Sequence, residues 1–220
     1  LTDEKVKKHF EKAIADFDLL YVDEKGWFRK FLDKRLRYDN YERYELTLQE
    51  CADIRDKRVL DIGCGSGRYC VELAKLEAGC VVGIDLAQSA VDIASRLAEN
   101  DGVSKVCSFV SADFRDCKFE SPFHISLAIG VMDYVSDPPA LISKMREITM
   151  EKLIMTFPSK STYRMAIRKT RYWLKGCPLF FYNREDIQRI FAKVGIQGYT
   201  IKKLSGSDNS GDFFVVARLT

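Results

Sequence analysis

The stretch VLDIGCGSGRYC, Val59 to Cys70, decides how the rest of the chain reads. An apolar run is broken by one acid, Asp61, and then by alternating glycines, Gly63, Gly65 and Gly67. Helical spacing resumes at once in GRYCVELAKLEA, so the stretch is a strand, a tight turn and a helix start. Glycine lets the backbone turn sharply and lets a ligand come close to it. In an open α/β sheet, ligands lie outside the carboxyl ends of the strands, where this turn falls. The acid narrows the choice of ligand. A pyrophosphate seated on the helix N-terminus would be repelled by Asp61. A locally cationic ligand, or one rich in donors, would be favoured. Arg68 also stands where the third small residue of a GxGxxG dinucleotide turn belongs.

Strands and helices alternate downstream. CVVGIDL is a strand and SAVDIASRLAEN a helix, with Ser89 as its expected cap. VCSFVSADF and HISLAIGVM are strands, PALISKMREIT a helix and KLIMTFP a strand. This alternation predicts a parallel sheet covered on both faces. REDIQRIFAKVGI is a helix that should stop at Gly195. YTIKKL and DFFVVARL flank the polar loop SGSDNSG, which predicts an antiparallel hairpin at the end of the sheet. Upstream, Val6, Phe10, Ile14 and Phe17 mark an amphipathic helix over residues 2–18. A second, aromatic-rich helical region covers 25–52. The expected organisation is a helical cap over 1–54 and an α/β domain over 55–220.

Two further acids fall at strand ends. Asp85 closes VVGID, where a carboxylate can accept both hydroxyls of a ribose. Asp113 and Phe114 close SADF, where an acid can accept an adenine amino group and a ring can pack on the base. S-adenosylmethionine meets all three positions: it has an α-ammonium, a sulfonium, a ribose and an adenine, and no phosphate.

Together VLDIGCGSGRY, VVGIDLA, SADF and FHISLAIGVMDYV resemble motifs I to IV of the class I S-adenosylmethionine-dependent methyltransferases, over about residues 55–220. The resemblance implies a Rossmann-like, seven-stranded sheet with one antiparallel strand. It also implies that Asp61, Gly63 and Gly65 line the methionine end, that Asp85 holds the ribose and Asp113 and Phe114 the adenine, and that Cys64, Leu86 and Ile129 belong to the cofactor site. His124 departs from the pattern, because the family often has Asp at the start of the fourth strand. A local packing change is expected there.

Methyl transfer needs an acceptor aligned with the sulfonium and water excluded. Asp133 and Tyr134 follow the fourth strand. Asp133 reads either as a base or orienting group or as a turn cap. Tyr21, in a loop after DFDLL, is a further candidate. Between the fifth strand and the last helix lies an expected lid, about 159–182. From Lys160 to Lys175 it has six basic residues and no acid. On a helix, Arg164, Arg168, Arg171 and Lys175 would share one face, with Tyr163, Tyr172 and Trp173 interleaved. Arg164, Arg168 and Tyr172 therefore read as contacts to an anionic or planar acceptor; the plainer reading is a solvated basic face. This region is also loosely similar to that of the magnesium-protoporphyrin O-methyltransferases. An RNA or protein methyltransferase and a non-catalytic cofactor-binding partner are the alternatives. The first lacks the Asn/Asp-Pro-Pro-Tyr/Phe tetrad of many amino-group nucleic-acid methylases, since SDPPA ends in Ala140.

Composition sets the remaining limits. Apolar residues make up 46% of 220, enough for a sizeable core, and a net charge of +3 does not point to a nucleic-acid partner. The seven cysteines are odd in number and form no CxxC pair, which fits free thiols in a reducing, cytoplasmic setting. Two histidines far apart give no metal cluster. LTDEKVKKHF lacks the apolar core of a signal peptide, and no apolar run matches a membrane span.

Overall fold

The computed structural model describes residues 38–160, 179–205 and 211–219. In order these form α1 (Tyr38–Glu50), β1 (Arg58–Ile62), α2 (Arg68–Lys75), β2 (Cys80–Asp85), α3 (Gln88–Asn100) and β3 (Cys107–Ser111). A single 3₁₀ turn (Phe114–Asp116) leads to β4 (Phe123–Ala128), α4 (Pro138–Glu147), β5 (Thr149–Phe157), α5 (Arg184–Lys193), β6 (Tyr199–Lys203) and β7 (Phe213–Arg218). The helix expected over 2–18, most of the aromatic-rich region before residue 38, and residues 161–178 of the lid lie outside the described residues.

The strands make one seven-stranded sheet in the order β3-β2-β1-β4-β5-β7-β6. Pairings are parallel from β3 to β5, while β7 runs antiparallel to both β5 and β6. The central strands read as nearly unbroken buried runs because helices cover both faces. Edge strand β6 alternates instead and exposes Thr200, Lys202 and Lys203, which discourages pairing with another chain.

The period of two along β1 divides the core. Leu60 and Ile62 join Leu141, Ile142, Met145, Ile187 and Phe191 on the face covered by α4 and α5. Val59 joins Cys51, Ile54, Cys70, Leu73, Ile125 and Val216 on the opposite face, under α1 and α2. Asp61 shares that second face.

Local chemistry sets the helix starts. Asp137 caps α4 by accepting the Ala140 N–H, and Pro138 and Pro139 occupy the first turn, where their missing N–H groups cost nothing. Thus the DPP string in SDPPA is a helix start. Asn183 and Asp186 form a reciprocal capping box on α5, and Gly195, at φ 69°, follows its end. Ser89 does not cap α3. The helix begins at Gln88 after Ala87, whose N–H is taken by Asp85 Oδ1 at 3.0 Å. His124 also has a defined job: its Nδ1 accepts the Arg58 backbone N–H at 3.0 Å, stitching β4 to the start of β1. Among the described residues, no helix is long and apolar enough to cross a membrane.

Candidate active site

From β1 the chain crosses to β2 and then β3 on one side, and it returns from β3 to place β4 on the other side of β1. The crevice at this switch point, at the carboxyl ends of the strands, is where such sheets bind ligands. The turn after β1 makes its floor. Gly63 and Cys64 both donate to the Ile84 carbonyl, at 2.7 and 3.0 Å, and Gly67 N–H closes onto Cys64 O at 3.0 Å. Gly63, Gly65 and Gly67 all have positive φ, 69°, 53° and 77°. Their reasons differ. A Cβ on Gly63 would lie 2.6 Å from Val131 Cγ2, and one on Gly67 would lie 2.7 Å from Ala94 Cβ. A Cβ on Gly65 would meet nothing within 4 Å. The middle of the turn therefore opens onto free space, and the glycine there leaves room for a ligand.

Asp85 stands beside that opening. Its Oδ2 accepts the Gly65 N–H at 2.9 Å and its Oδ1 the Ala87 N–H at 3.0 Å. A carboxylate oxygen can accept more than one hydrogen bond, so these two bonds alone do not fill either oxygen. The Gly65 amide, which a pyrophosphate would need, is already bonded to a carboxylate. Leu86 is half-buried just beyond.

Asp61 is 1% exposed and lies beneath the turn. The Cys70 thiol donates to its Oδ2 at 3.4 Å. Burial, with Asp85 adding repulsion, pushes the Asp61 carboxyl up to about 7. The Cys64 thiol is also turned under the turn, 2.9 Å from where a Gly83 Cβ would sit, so Cys64 offers its backbone to the open side.

Asp113 caps the 3₁₀ turn through the Arg115 N–H at 2.9 Å. The Arg115 guanidinium forks onto the same carboxylate, Nε to Oδ1 at 3.0 Å and Nη2 to Oδ2 at 2.5 Å. Those bonds hold the Asp113 carboxyl below the usual range. Phe114 is only 4% exposed and belongs to the core, so it offers an edge to a base and not an open face. In register, Ile62 pairs with Ile84 and Asp85 with Ser111, so the turn, Asp85 and Asp113 follow one another along the sheet edge. Two strand spacings separate the first from the last, roughly 10 Å. That span suits methionine, ribose and adenine laid end to end.

Across the switch point, Ile129 is half-buried at the end of β4, and Gly130 donates to Thr156 Oγ1 at 2.7 Å. Asp133 is 6% exposed, in a turn closed by Tyr134 N–H on Val131 O at 3.0 Å. The helix that follows is capped by Asp137, not by Asp133. The chain re-entering before α5, at Phe180 and Tyr182, is fastened to this turn. Phe180 N–H donates to Asp133 O at 2.8 Å, and Tyr182 Oη to Met132 O at 3.2 Å. Tyr182 also bridges Ser159 at the end of β5, with Tyr182 N–H on Pro158 O at 2.8 Å and Lys160 N–H on Tyr182 O at 3.0 Å. Tyr21, Arg164, Arg168 and Tyr172 lie outside the described residues.

Two residues escaped the sequence reading. In the sequence Tyr182 is only the last residue of the expected lid, 159–182. Arg43, on α1, places Nη1 3.6 Å from the position of a Gly130 Cβ, at the ligand end of β4. Nothing in YERYELT marks Arg43 out from a solvated helix face. Among the described residues no group of three or more His, Cys, Asp and Glu is arranged to hold a metal ion.

Residues 54–195 match the family model described as "Methyltransferase domain". The chain belongs to that family and carries a class I S-adenosylmethionine-dependent methyltransferase domain. It is 36% identical over 136 residues to the human EEF1A lysine methyltransferase 2, covering 60% of this chain and 57% of that protein. It is 28% identical over 179 residues to the ubiquinone biosynthesis O-methyltransferase of Neisseria meningitidis serogroup C, covering 76% and 71%. In fold it is similar to the magnesium protoporphyrin IX methyltransferase ChlM of Synechocystis PCC 6803 with bound SAH: TM-score 0.78, 19% identity and 98% of both chains.

Proposed function

We propose that the chain methylates a small acceptor with an anionic or planar character, seated between the ends of β4 and β5. One observation carries this reading. Phe180 and Tyr182 tie the lid to Asp133 and Pro158, so the segment with six basic residues and three interleaved aromatics leaves and re-enters the fold at the acceptor position. Arg164, Arg168 and Tyr172 in that segment would meet the anion or the ring. Tyr21, from the 1–54 region, would complete the enclosure.

S-adenosylmethionine supplies a methyl group on a positively charged sulfur. Asp85 would hold the ribose and Asp113 the adenine amino group, with Leu86 and Ile129 beside them and the edge of Phe114 against the base. Gly63, Cys64 and Gly65 would present backbone to the methionine end, with the Asp61 charge beneath. That end also carries a carboxylate, which Arg43 would neutralise. Asp133 would orient the acceptor or take its proton, and Tyr134 would flank it. Magnesium protoporphyrin IX, named for one fold neighbour, and the ubiquinone precursors implied by a relative's name fit a planar acceptor.

A protein lysine is the second reading, favoured by the 36% identity to the human lysine methyltransferase. Titration with S-adenosylhomocysteine, with NAD as control, comes first. Methyl transfer is then measured to magnesium protoporphyrin IX and to elongation factor 1A, with wild type and the Arg164→Glu, Arg168→Glu double variant. Transfer to the porphyrin that collapses in the double variant, with cofactor affinity unchanged, supports the first reading. Transfer to the protein alone selects the second.

A further inference from the structure

The loop after β3 is fastened from below by a residue far away in sequence. Lys144, on α4, donates through Nζ to the Arg115 carbonyl at 2.5 Å and to the Cys117 carbonyl at 2.8 Å. The same ammonium lies 5.1 Å from the centroid of the Phe114 ring. Phe114 packs in turn on Phe119, at 6.2 Å, and Phe119 meets Phe123 edge-on at 5.2 Å. The Cys117 thiol adds a bond to Asp113 O at 3.3 Å. An ammonium has three donors and no acceptor, so it can gather carbonyls that no apolar side chain would hold. Every one of these contacts falls within Asp113–Cys117 or on the aromatic cluster beneath it.

We propose that Lys144 is a positioning residue for the adenine end of the cofactor site, fixing the loop so that the Asp113 carboxylate stands where the adenine amino group is read. This rests on the reading of Asp113 given above. Recognition of one amino group requires an acceptor held to within a fraction of an ångström, and supporting contacts normally provide that precision. Without Lys144, the Arg115 fork would still charge Asp113 but would move with it. The loss should therefore fall on discrimination at the adenine amino group, not on the methionine and ribose ends, which are held by β1 and β2.

The test is isothermal titration of the full chain with S-adenosylhomocysteine and with S-inosylhomocysteine, in which the amino group is replaced by a carbonyl. Wild type, Lys144→Met and Lys144→Arg are compared, with thermal midpoints measured alongside. Wild type should prefer the adenine ligand. Lys144→Met, which keeps the apolar stem over Phe114, should lose about tenfold for S-adenosylhomocysteine, the worth of one charge-assisted hydrogen bond, and far less for the inosine analogue. Lys144→Arg should restore most of the preference. Equal losses for both ligands, or none, would overturn the proposal by making Lys144 a general structural residue or a bystander. A wild type that binds both ligands alike would instead overturn the reading of Asp113, and one that binds neither would overturn the cofactor site as a whole.

Discussion

The Gly65 amide and the Asp85 carboxylate, twenty residues apart, are joined by a 2.9 Å hydrogen bond across the ends of β1 and β2. The acid read as a ribose acceptor therefore also shapes the glycine turn. Asp85→Ala should weaken S-adenosylhomocysteine binding by about 1–3 kcal/mol and also loosen the turn. Asp85→Asn keeps one carbonyl acceptor and should lose less. Calorimetric titration of the two variants checks this; equal affinity for both and for wild type would remove Asp85 from the site.

Asp61 makes stability depend on pH in an unusual direction. Its folded value, about 7, lies above its ordinary value of 3.8, so the folded chain holds this proton more tightly than the unfolded chain. Its contribution is fully present below the lower value and is lost as pH rises through the upper one. Between the two, stability should fall by up to about 1.4 kcal/mol per pH unit. Asp61→Asn should flatten this slope and be the more stable protein at high pH. Urea unfolding of both chains from pH ~5 to ~8 would reveal it, and parallel curves would refute it.

Two of the turn glycines should fail in different ways. Gly67→Ala drives a methyl group against Ala94 and Phe109, at 2.7 and 3.0 Å, and should destabilise the fold by several kcal/mol, about 2 or more. Gly65→Ala has open space and meets only the backbone cost of its φ, about 1–2 kcal/mol. Its larger effect should be on cofactor affinity. Thermal midpoints and titrations of the two variants would separate these outcomes.

His124 answers a question of substitution. Its ring nitrogen accepts the Arg58 N–H, and an aspartate at that position has oxygens able to accept the same donor. His124→Asp should stay near wild-type stability, whereas His124→Leu should cost about 1 kcal/mol. Denaturant midpoints decide it. If both changes cost the same, the hydrogen bond is not what the position selects for.

Features that lie close together in the sequence were the legible ones. Strand, glycine turn and acid fall within one dozen residues, and their spacing alone marked the strand, the turn and the helix start. The parallel sheet and the terminal hairpin followed from alternation and turn chemistry. Ser89 misled because a hydroxyl just inside a helix pattern looks like a cap, while the N–H before it was claimed by Asp85 at the previous strand end. Phe114 misled because a ring beside an acid reads as a surface for a base, and only the packing of Phe119 and Lys144 shows it is covered. Arg43 and Lys144 were illegible for one reason. Each sits on a helix among other charges, and its partner at the site is 87 or about 30 residues distant. No local pattern records such a pairing.

The short bridge between Ser159 and Tyr182 has an evolutionary consequence. Because the chain departs and returns at paired points on the finished sheet, the stretch between them can change length or composition without disturbing the strands. Closing a longer loop between fixed ends costs only about 0.6 kcal/mol per doubling. On the proposed reading of this stretch, acceptor choice would be a replaceable cassette, closed by the Ser159–Tyr182 bridge and plugged into a constant frame. A graft from another member of the family, cut at these two residues, is the natural way to exchange one substrate for another.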